Sequence, residues 1–473
     1  MKQTRSILIL LLFLFLSSPL LAQEVLDVMA RGRRLHLALT GTLPTKIQFQ
    51  QTVELLNQSR AKEAALKIIQ EDPNFYNVTL KSMVTPWSNK IGDHTQPLND
   101  MTALMIGLVR DNIPFNQVFS GNRLYVFRGA YIGSTMSPSL RPLLTDPELI
   151  FSYIGSNFVR DPATGQMVYN PQTDIISINE TPEVRYDRLF KTFPLSNKVV
   201  IKDPKNPSVR FIISRHSYSN NDHYEEAEAL NLDFANVANL RSGYQTDYLV
   251  YTDTRAVSGI LSTREFGKAY LQGGTNRAPI SYLMSHMLCK TQDQVKDSTL
   301  SDEYVRKDIP RIPGGRETTF KNNCVSCHTG LDSLANAFSY HNFYNGRIEF
   351  RAAGTGVVPK LNTNIANDDT QIGAAVTDDY WVNFWRLSKN SDLGWPSDNF
   401  EGYGLKPLGL MLSQTKQFSS CMAQRVYEKV CLNNVRNLSS TEKLTVDSLS
   451  VSFEQNNFNM KDLFAETSVS CKE

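Results

Sequence analysis

Apolar residues recur every three or four positions over several separate stretches of the chain, and that spacing predicts helices. Pro44-Thr45 opens one with Ile47, Phe49, Val53 and Leu56, and Ser59 stands where it can cap a second carrying Ala61, Ala64, Leu66 and Ile69. Asp72-Pro73 starts a third with Phe75, Val78 and Met83. Asn99 or Asp100 can cap a fourth through Met105, Leu108 and Val109. Trp87, just past Pro86, reads as a core anchor. The pattern then loosens. Asp161 to Thr181 is rich in Asp, Asn, Pro, Gly and Thr and reads as a long loop. Val199 to Ile201 and Val209 to Ser214 are short β-like runs, and Ala227 to Ala238 returns to helical spacing.

Further on, Gly273 to Pro279 forms a turn into an apolar helix from Ile280 to Leu288, and Leu331 to Phe338 reads as helical. Gln417 to Val430 carries Phe418, Met422, Val426 and Val430 on one face. Ser439 and Glu442 have capping-box spacing, and Val446, Leu449 and Phe453 give the stripe behind it. The expected fold is therefore mainly α, with several helical domains and a loop-rich middle region carrying a few short β-strands. The boundaries expected are a signal peptide over 1–22, a helical N-terminal domain over 23–150, and the middle region over 151–255. A helical segment over 256–319, a region over 320–410 that opens on the run Cys324-Val-Ser-Cys-His328, and a C-terminal helical domain over 411–473 follow.

The first residues read as an export leader. Lys2 and Arg5 are basic, Ile7 to Leu16 is unbroken apolar sequence, and Ser17, Ser18 and Pro19 end the run before a plausible cut at Ala22-Gln23. The run is short for a membrane span, so no transmembrane anchor is expected once the leader is removed. The expected location is periplasmic or extracellular. The formal charge of the 473-residue chain is +2, and Lys2 and Arg5 account for both excess charges. A neutral mature chain gives no electrostatic reason to expect a nucleic-acid partner.

The most specific chemistry lies in Lys321 to Gly330, where Cys324, Cys327 and His328 stand in the order C-x-x-C-H. That order is the attachment pattern of a c-type haem: two thiols bond the porphyrin edge and the next imidazole ligates the iron. A thioredoxin-like pair has no need of the following His, and a structural zinc site needs four ligands, usually from a second close pair. The expected cofactor is one covalently attached haem c. Among the 473 residues there is a single copy of the motif, so a two-haem arrangement is absent, and no G-x-S-x-G, H-E-x-x-H or G-x-G-x-x-G run is present.

The second axial ligand decides what the iron can do. No Met lies between His328 and Met411, and His341 is the only His in that interval. Met411 ends the turn-rich run Gly402 to Met411 and is the leading distal-ligand candidate. His341, Met422, Met460, the group Met284, His286 and Met287, and open coordination remain alternatives. His216 and His223 bracket a polar run that reads as a solvated loop rather than a metal site.

The other four cysteines are Cys289, Cys421, Cys431 and Cys471. Cys421 and Cys431 sit near the two ends of one predicted helix, about 15 Å apart along it. A disulfide spans at most about 7 Å between Cα atoms. Each therefore pairs with Cys289 or Cys471, or stays reduced.

These pieces resemble a family, the secreted planctomycete-type single-haem cytochromes c with uncharacterised flanking domains. The similarity runs through Arg33 to Thr45, Leu108 to Phe115, Gly259 to Ser262 with Thr275 to Pro279, and the haem segment with Leu331-Asp332, Ala337-Phe338 and Phe343. Phe418, Cys421 and Gln424 and then Phe458 to Ser468 extend it. The chain departs from the family where Leu331-Asp-Ser-Leu-Ala335 replaces the usual Asp-Pro-Leu-Gly after the haem His. The resemblance implies extracytoplasmic haem c and electron transfer with a donor or acceptor protein of unknown identity. It leaves open whether the chain is an enzyme. The alternatives are a haem-dependent oxidoreductase or peroxidase-like enzyme with an open or labile distal site, and a haem-stapled surface scaffold or adhesion protein.

Overall fold

The computed structural model describes residues 27–127, 159–160, 167–168, 198–202, 210–214, 221–237, 239–245, 254–344, 346–351, 354–362 and 373–471. The leader, most of the Asp161 to Thr181 loop and the His216 end of the polar run lie outside the described residues.

Helix α1 spans 27–40, with Leu35, His36 and Leu39 buried, and stops at Gly41, whose φ of 71° suits a residue without a Cβ. Thr45 and Gln48 form a capping box at the start of α2 (Lys46–Asn57), where the sequence placed it. Helix α3 (Ala61–Glu71) has no side-chain cap. Ser59, expected as that cap, takes a φ of 60° and makes the turn instead, so Arg60 precedes the helix. The stretch expected to be a helix after Pro73 is tighter and looser by turns: π-helical over Phe75–Leu80, α-helical over Lys81–Val84 and 3₁₀ over Thr85–Ser88. Trp87 is buried in it. Asn99 caps α4 (Asp100–Arg110), a helix buried on every side.

The chain divides into two compact units. One comprises residues 125–232 and 236–242, and the other holds the remainder. In the first, strands are paired antiparallel: Val159–Arg160 (β2) with Met167–Val168 (β3), and Lys198–Lys202 (β4) with Arg210–Ser214 (β5). The two β-like runs of the middle region are thus one hairpin. Helix α5 covers Asp222–Ala229, earlier than the expected 227–238, and Tyr224 of this helix donates its hydroxyl to the Tyr125 carbonyl at 2.6 Å. Strand β1 (Arg123–Phe127) pairs with β6 (Leu240–Tyr244).

In the larger unit the two ends of the chain share a core. Helices α10 (Lys416–Cys431), α11 (Ser440–Gln455) and α12 (Met460–Ser470) pack together, and α12 lies on α3. Phe75 meets Phe464 edge-on at 5.0 Å, Lys62 pairs with Glu466 at 2.6 Å, and Lys461 donates to the Arg110 carbonyl at 2.8 Å. The N-terminal and C-terminal helices lie in one unit, where α3 packs both on α2 and on α12. The capping box at Ser439 and the buried stripe Val446, Leu449 and Phe453 stand as expected.

Between these two sets of helices in sequence lie further elements, some of which pack on the helix that carries the C-x-x-C-H motif. They are α6 (Ala278–Tyr282), which runs on as a π turn over Leu283–Met287, α7 (Glu317–Asn323), α8 (Val325–Ala335) and α9 (Leu405–Gln414). The hairpins β7 (His341–Tyr344) with β8 (Arg347–Phe350), and β9 (Tyr380–Val382) with β10 (Glu401–Tyr403), complete the set. The protein is mainly helical with a few short strands. No described helix is long and apolar enough to cross a membrane.

Two disulfides close the larger unit, Cys289–Cys421 and Cys431–Cys471, each with Cα atoms 5.3 Å apart. Cys421 is buried in the first half of α10 and Cys431 is its last residue, so each reaches outside its own helix for a partner, as the helix geometry requires.

Candidate functional site

Helix α7 ends at Cys324, and Cys324 is also the residue from which α8 begins. The amides of Cys327 and His328 both donate to the Cys324 carbonyl at 3.2 Å. Residues three and four apart on a helix are neighbours. Cys324, Cys327 and His328 are therefore gathered on one turn. Four of the six cysteines are cross-linked, and the two that are not are Cys324 and Cys327, both half-buried. Burial, reinforced by the Asp293 carboxylate, pushes the Cys327 thiol up.

His328 is fixed from behind. Its Nδ1 lies 2.9 Å from Asp332 Oδ1, one helical turn on. The His side chain is 21% exposed and the Asp side chain 0%. A carboxylate only accepts, so Nδ1 carries the proton and the Nε2 lone pair is left available, with no hydrogen bond of its own among the described residues.

Asp332 is in turn held by two segments. Arg277, just ahead of α6, donates from Nε to Oδ1 at 2.6 Å and from Nη2 to Oδ2 at 2.9 Å. The backbone N–H of Arg306 donates to Oδ2 at 2.8 Å. Arg277 also reaches both oxygens of Asp308, at 2.8 and 2.7 Å, and Thr275 Oγ1 at 2.6 Å. The Arg306 guanidinium, 1% exposed, donates to Asn336 Oδ1 and to the Thr275 carbonyl. Burial by itself would raise the Asp332 carboxyl. The His328 and Arg277 hydrogen bonds and the Arg277 charge outweigh it, and hold the carboxyl far below the usual carboxylate range. Burial pulls the Arg306 guanidinium down to about 10. Two acids and two bases make the cluster neutral, which is what a buried set of charges requires.

The segments Asp302–Tyr304 and Phe384–Arg386 both pack on α8, and Tyr304 and Phe384 stack with ring centres 3.8 Å apart. Gly330 is the contact that lets Trp385 lie on the helix: a Cβ there would stand 2.1 Å from the indole nitrogen. Val382 donates its backbone N–H to Ser333 Oγ at 3.1 Å, tying β9 to the same helix.

Met411 is on α9, not in an open turn, and is fully buried. Gly404, with a φ of 73°, ends the turn, and the following run of Leu405, Leu408 and Leu412 makes an apolar helix face. The Met411 sulfur accepts a hydrogen bond from Asn383 Nδ2 at 3.4 Å. His341 is buried against Phe338 and Phe350, with Nε2 3.3 Å from the Ala256 carbonyl. Met284, Met287, Met422 and Met460 are core residues. His286 stacks on Tyr282 at 4.8 Å, and burial followed by the Arg425 charge lowers it to about 4. The structure thus gathers Cys324, Cys327 and His328 and gives each distal candidate a place in the packing.

No known family matches the chain, and no curated protein or solved structure is measurably similar to it. Among the described residues no group of three or more His, Cys, Asp or Glu side chains is placed to hold a metal ion. A haem brings four nitrogens to its own iron, so the protein needs to add only one or two ligands.

The residues that sequence reasoning passed over are Asp332 as the partner of His328, and Arg277, Arg306 and Asp308 behind it. The four-residue spacing of His328 and Asp332 was a signal that could have been used. Arg277 has no local signal, because its partner lies 55 residues away.

Proposed function

We propose that this chain is an exported protein that carries one haem c on Cys324, Cys327 and His328 and passes single electrons to or from a partner protein. The observation that supports it most is the pairing of two free thiols with a histidine whose Nδ1 is already engaged. Cys324 and Cys327 would hold the haem through thioethers, each an addition of S–H across a vinyl group with no net oxidation. His328 would be the residue that ligates through Nε2, with Asp332 fixing its tautomer and orientation. When bound, the haem supplies a reversible one-electron iron couple. The two disulfides suit an oxidising compartment.

The test is the mass of the proteolytic peptide spanning Cys324 and Cys327, from protein exported in a host that attaches haem c. One covalent haem per chain is expected, with its visible spectrum. A peptide with two unmodified thiols would rule the reading out.

A second reading, an oxidoreductase with an open distal position, is favoured by the Met411 sulfur already accepting from Asn383 in the core. Binding of CO to the reduced protein without loss of a native ligand band supports this reading. A methionine–iron band in the oxidised spectrum, lost in Met411→Ala, would exclude it.

A further inference from the structure

We propose that Asp332 is a positioning residue that gives His328 a charged hydrogen bond, and that this bond holds the iron at a lower potential than a neutral acceptor would. The inference rests on the reading of His328 as the iron ligand and deepens it.

The argument starts from the acceptor. A backbone carbonyl behind an iron-bound histidine is a neutral dipole; here the acceptor is a carboxylate with no exposed surface, 2.9 Å from Nδ1. Hydrogen bonds to an ionised acceptor are roughly twice as strong as neutral ones. They pull the Nδ1 proton toward the acceptor and leave more electron density at Nε2, which makes the imidazole a stronger donor. A stronger donor stabilises the ferric iron more than the ferrous iron, so the potential falls.

The surrounding groups keep Asp332 charged and stationary. Four donors converge on its two oxygens: His328 Nδ1, Arg277 Nε and Nη2, and the Arg306 amide. Arg277 is shared with Asp308, so its positive charge does not fall on Asp332 alone. Arg306 directs its guanidinium to Asn336 and Thr275 rather than to the carboxylate. The result is a carboxylate that cannot rotate away and whose remaining negative charge faces the imidazole. The segment Leu331-Asp-Ser-Leu-Ala335 has no proline to present a carbonyl at this place, and the helix continues through it.

The experiment uses the full haem-loaded chain and two substitutions. Asp332→Asn keeps an acceptor of the same shape and removes the charge. Asp308→Asn removes an equal charge one residue further from the imidazole. Midpoint potentials come from a redox titration. The iron–histidine stretching band comes from resonance Raman spectra of the ferrous protein after photolysis of its CO adduct. The expected result is a rise in potential and a lower stretching frequency in Asp332→Asn, with a clearly smaller rise and an unshifted band in Asp308→Asn. Equal shifts in the two variants would reduce the effect to bulk charge and overturn the proposal. So would an unmoved band in a haem-loaded Asp332→Asn protein.

Should Asp332→Asn fail to fold, the wild-type band decides alone. It is expected above that of haem bound by a neutral imidazole, and coincidence with that reference refutes the proposal. A wild-type chain without covalent haem defeats the functional reading itself, and the mass measurement separates that outcome from the others.

Discussion

Two buried aspartates show what distinguishes the motif region from the helical scaffold. Asp100 begins α4 and is fully enclosed, as is Asp332 on α8. Asp100 has only backbone partners, the amides of Arg264 at 2.5 Å and Glu265 at 3.0 Å. Burial pushes its carboxyl up to about 6, against the pull of those amides, and the neighbouring Glu265 adds to the rise. Asp332 has Arg277 and His328 as well as an amide, and its carboxyl goes the other way. Equal burial gives opposite outcomes because cationic side chains hydrogen-bond the carboxylate at Asp332, whereas at Asp100 the Arg264 charge acts without bonding it and burial prevails. The Asp100 site tolerates a carboxyl that ties α4 to the Arg264–Phe266 turn. The Asp332 site is assembled, from three segments, to keep a negative charge at one place behind His328.

The largest way to break this contrast is Arg277→Met. It leaves Asp332 and Asp308 buried without their shared cation, which costs about 3–5 kcal/mol for a broken buried pair. The direction with pH follows from the sign of the shift. The Asp332 carboxyl is depressed in the folded state, so its contribution to stability is present above about pH 4, the unfolded value, and is lost as pH falls toward the folded one. Urea unfolding at neutral pH and at pH 3 should show a large loss in the variant at neutral pH and a smaller one in acid. A loss of equal size at both values would mean that Arg277 contributes packing rather than charge.

Asp100→Asn tests the other half. The wild-type carboxyl is raised to about 6, so the folded state holds its proton longer than the unfolded chain does. Stability is therefore lost as pH rises from about 4 to 6, by about 3 kcal/mol for a shift of this size. An asparagine carries no charge to bury. The stability of the variant relative to wild type should grow by about that amount across the same interval and stay level above it. A flat difference would show that Asp100 ionises without penalty, and the contrast with Asp332 would then lose its basis.

The sequence carried these two sites unequally. Asp100 was legible as part of a helix start, yet two adjacent residues, Asn99 and Asp100, suit a cap equally well, and only the fold assigns the roles. Asn99 takes the cap, and Asp100 turns to a segment more than 160 residues later in the chain. Cys324, Cys327 and His328 were legible as a C-x-x-C-H spacing, which a helical turn gathers on one side. The disulfides were half legible, since helix length forbids Cys421–Cys431, while the choice between the remaining partners depends on how α10 packs. The π-helical stretches at Phe75–Leu80, Gly267–Leu271 and Leu283–Met287 were not legible, because apolar spacing of three to four residues does not tell a wide turn from an ordinary one. Arg277 and Arg306 were invisible for the same reason as Asp100's partner: polar contacts across long sequence separations leave no periodic trace.

The smallest effect separates capping from charge within the α4 region. Asn99 Oδ1 accepts from the amides of Met101 and Thr102, at 3.1 and 3.0 Å, and its Nδ2 donates to Ser88 Oγ at 3.0 Å. Asn99→Ala removes these bonds, with the longer ones to the Pro97 carbonyl and from Thr102 Oγ1, both 3.3 Å, and should cost about 1 kcal/mol, the usual effect of losing an N-cap. Asp100 does not take part in those bonds, so the variant should keep the wild-type fall in stability between pH 4 and 6 unchanged in size. Thermal melts across that interval would show two parallel curves. Curves that converge would mean that the cap and the buried carboxyl are one coupled unit. In that case the raised Asp100 carboxyl would reflect how α4 begins, and not the absence of a cationic hydrogen-bond partner.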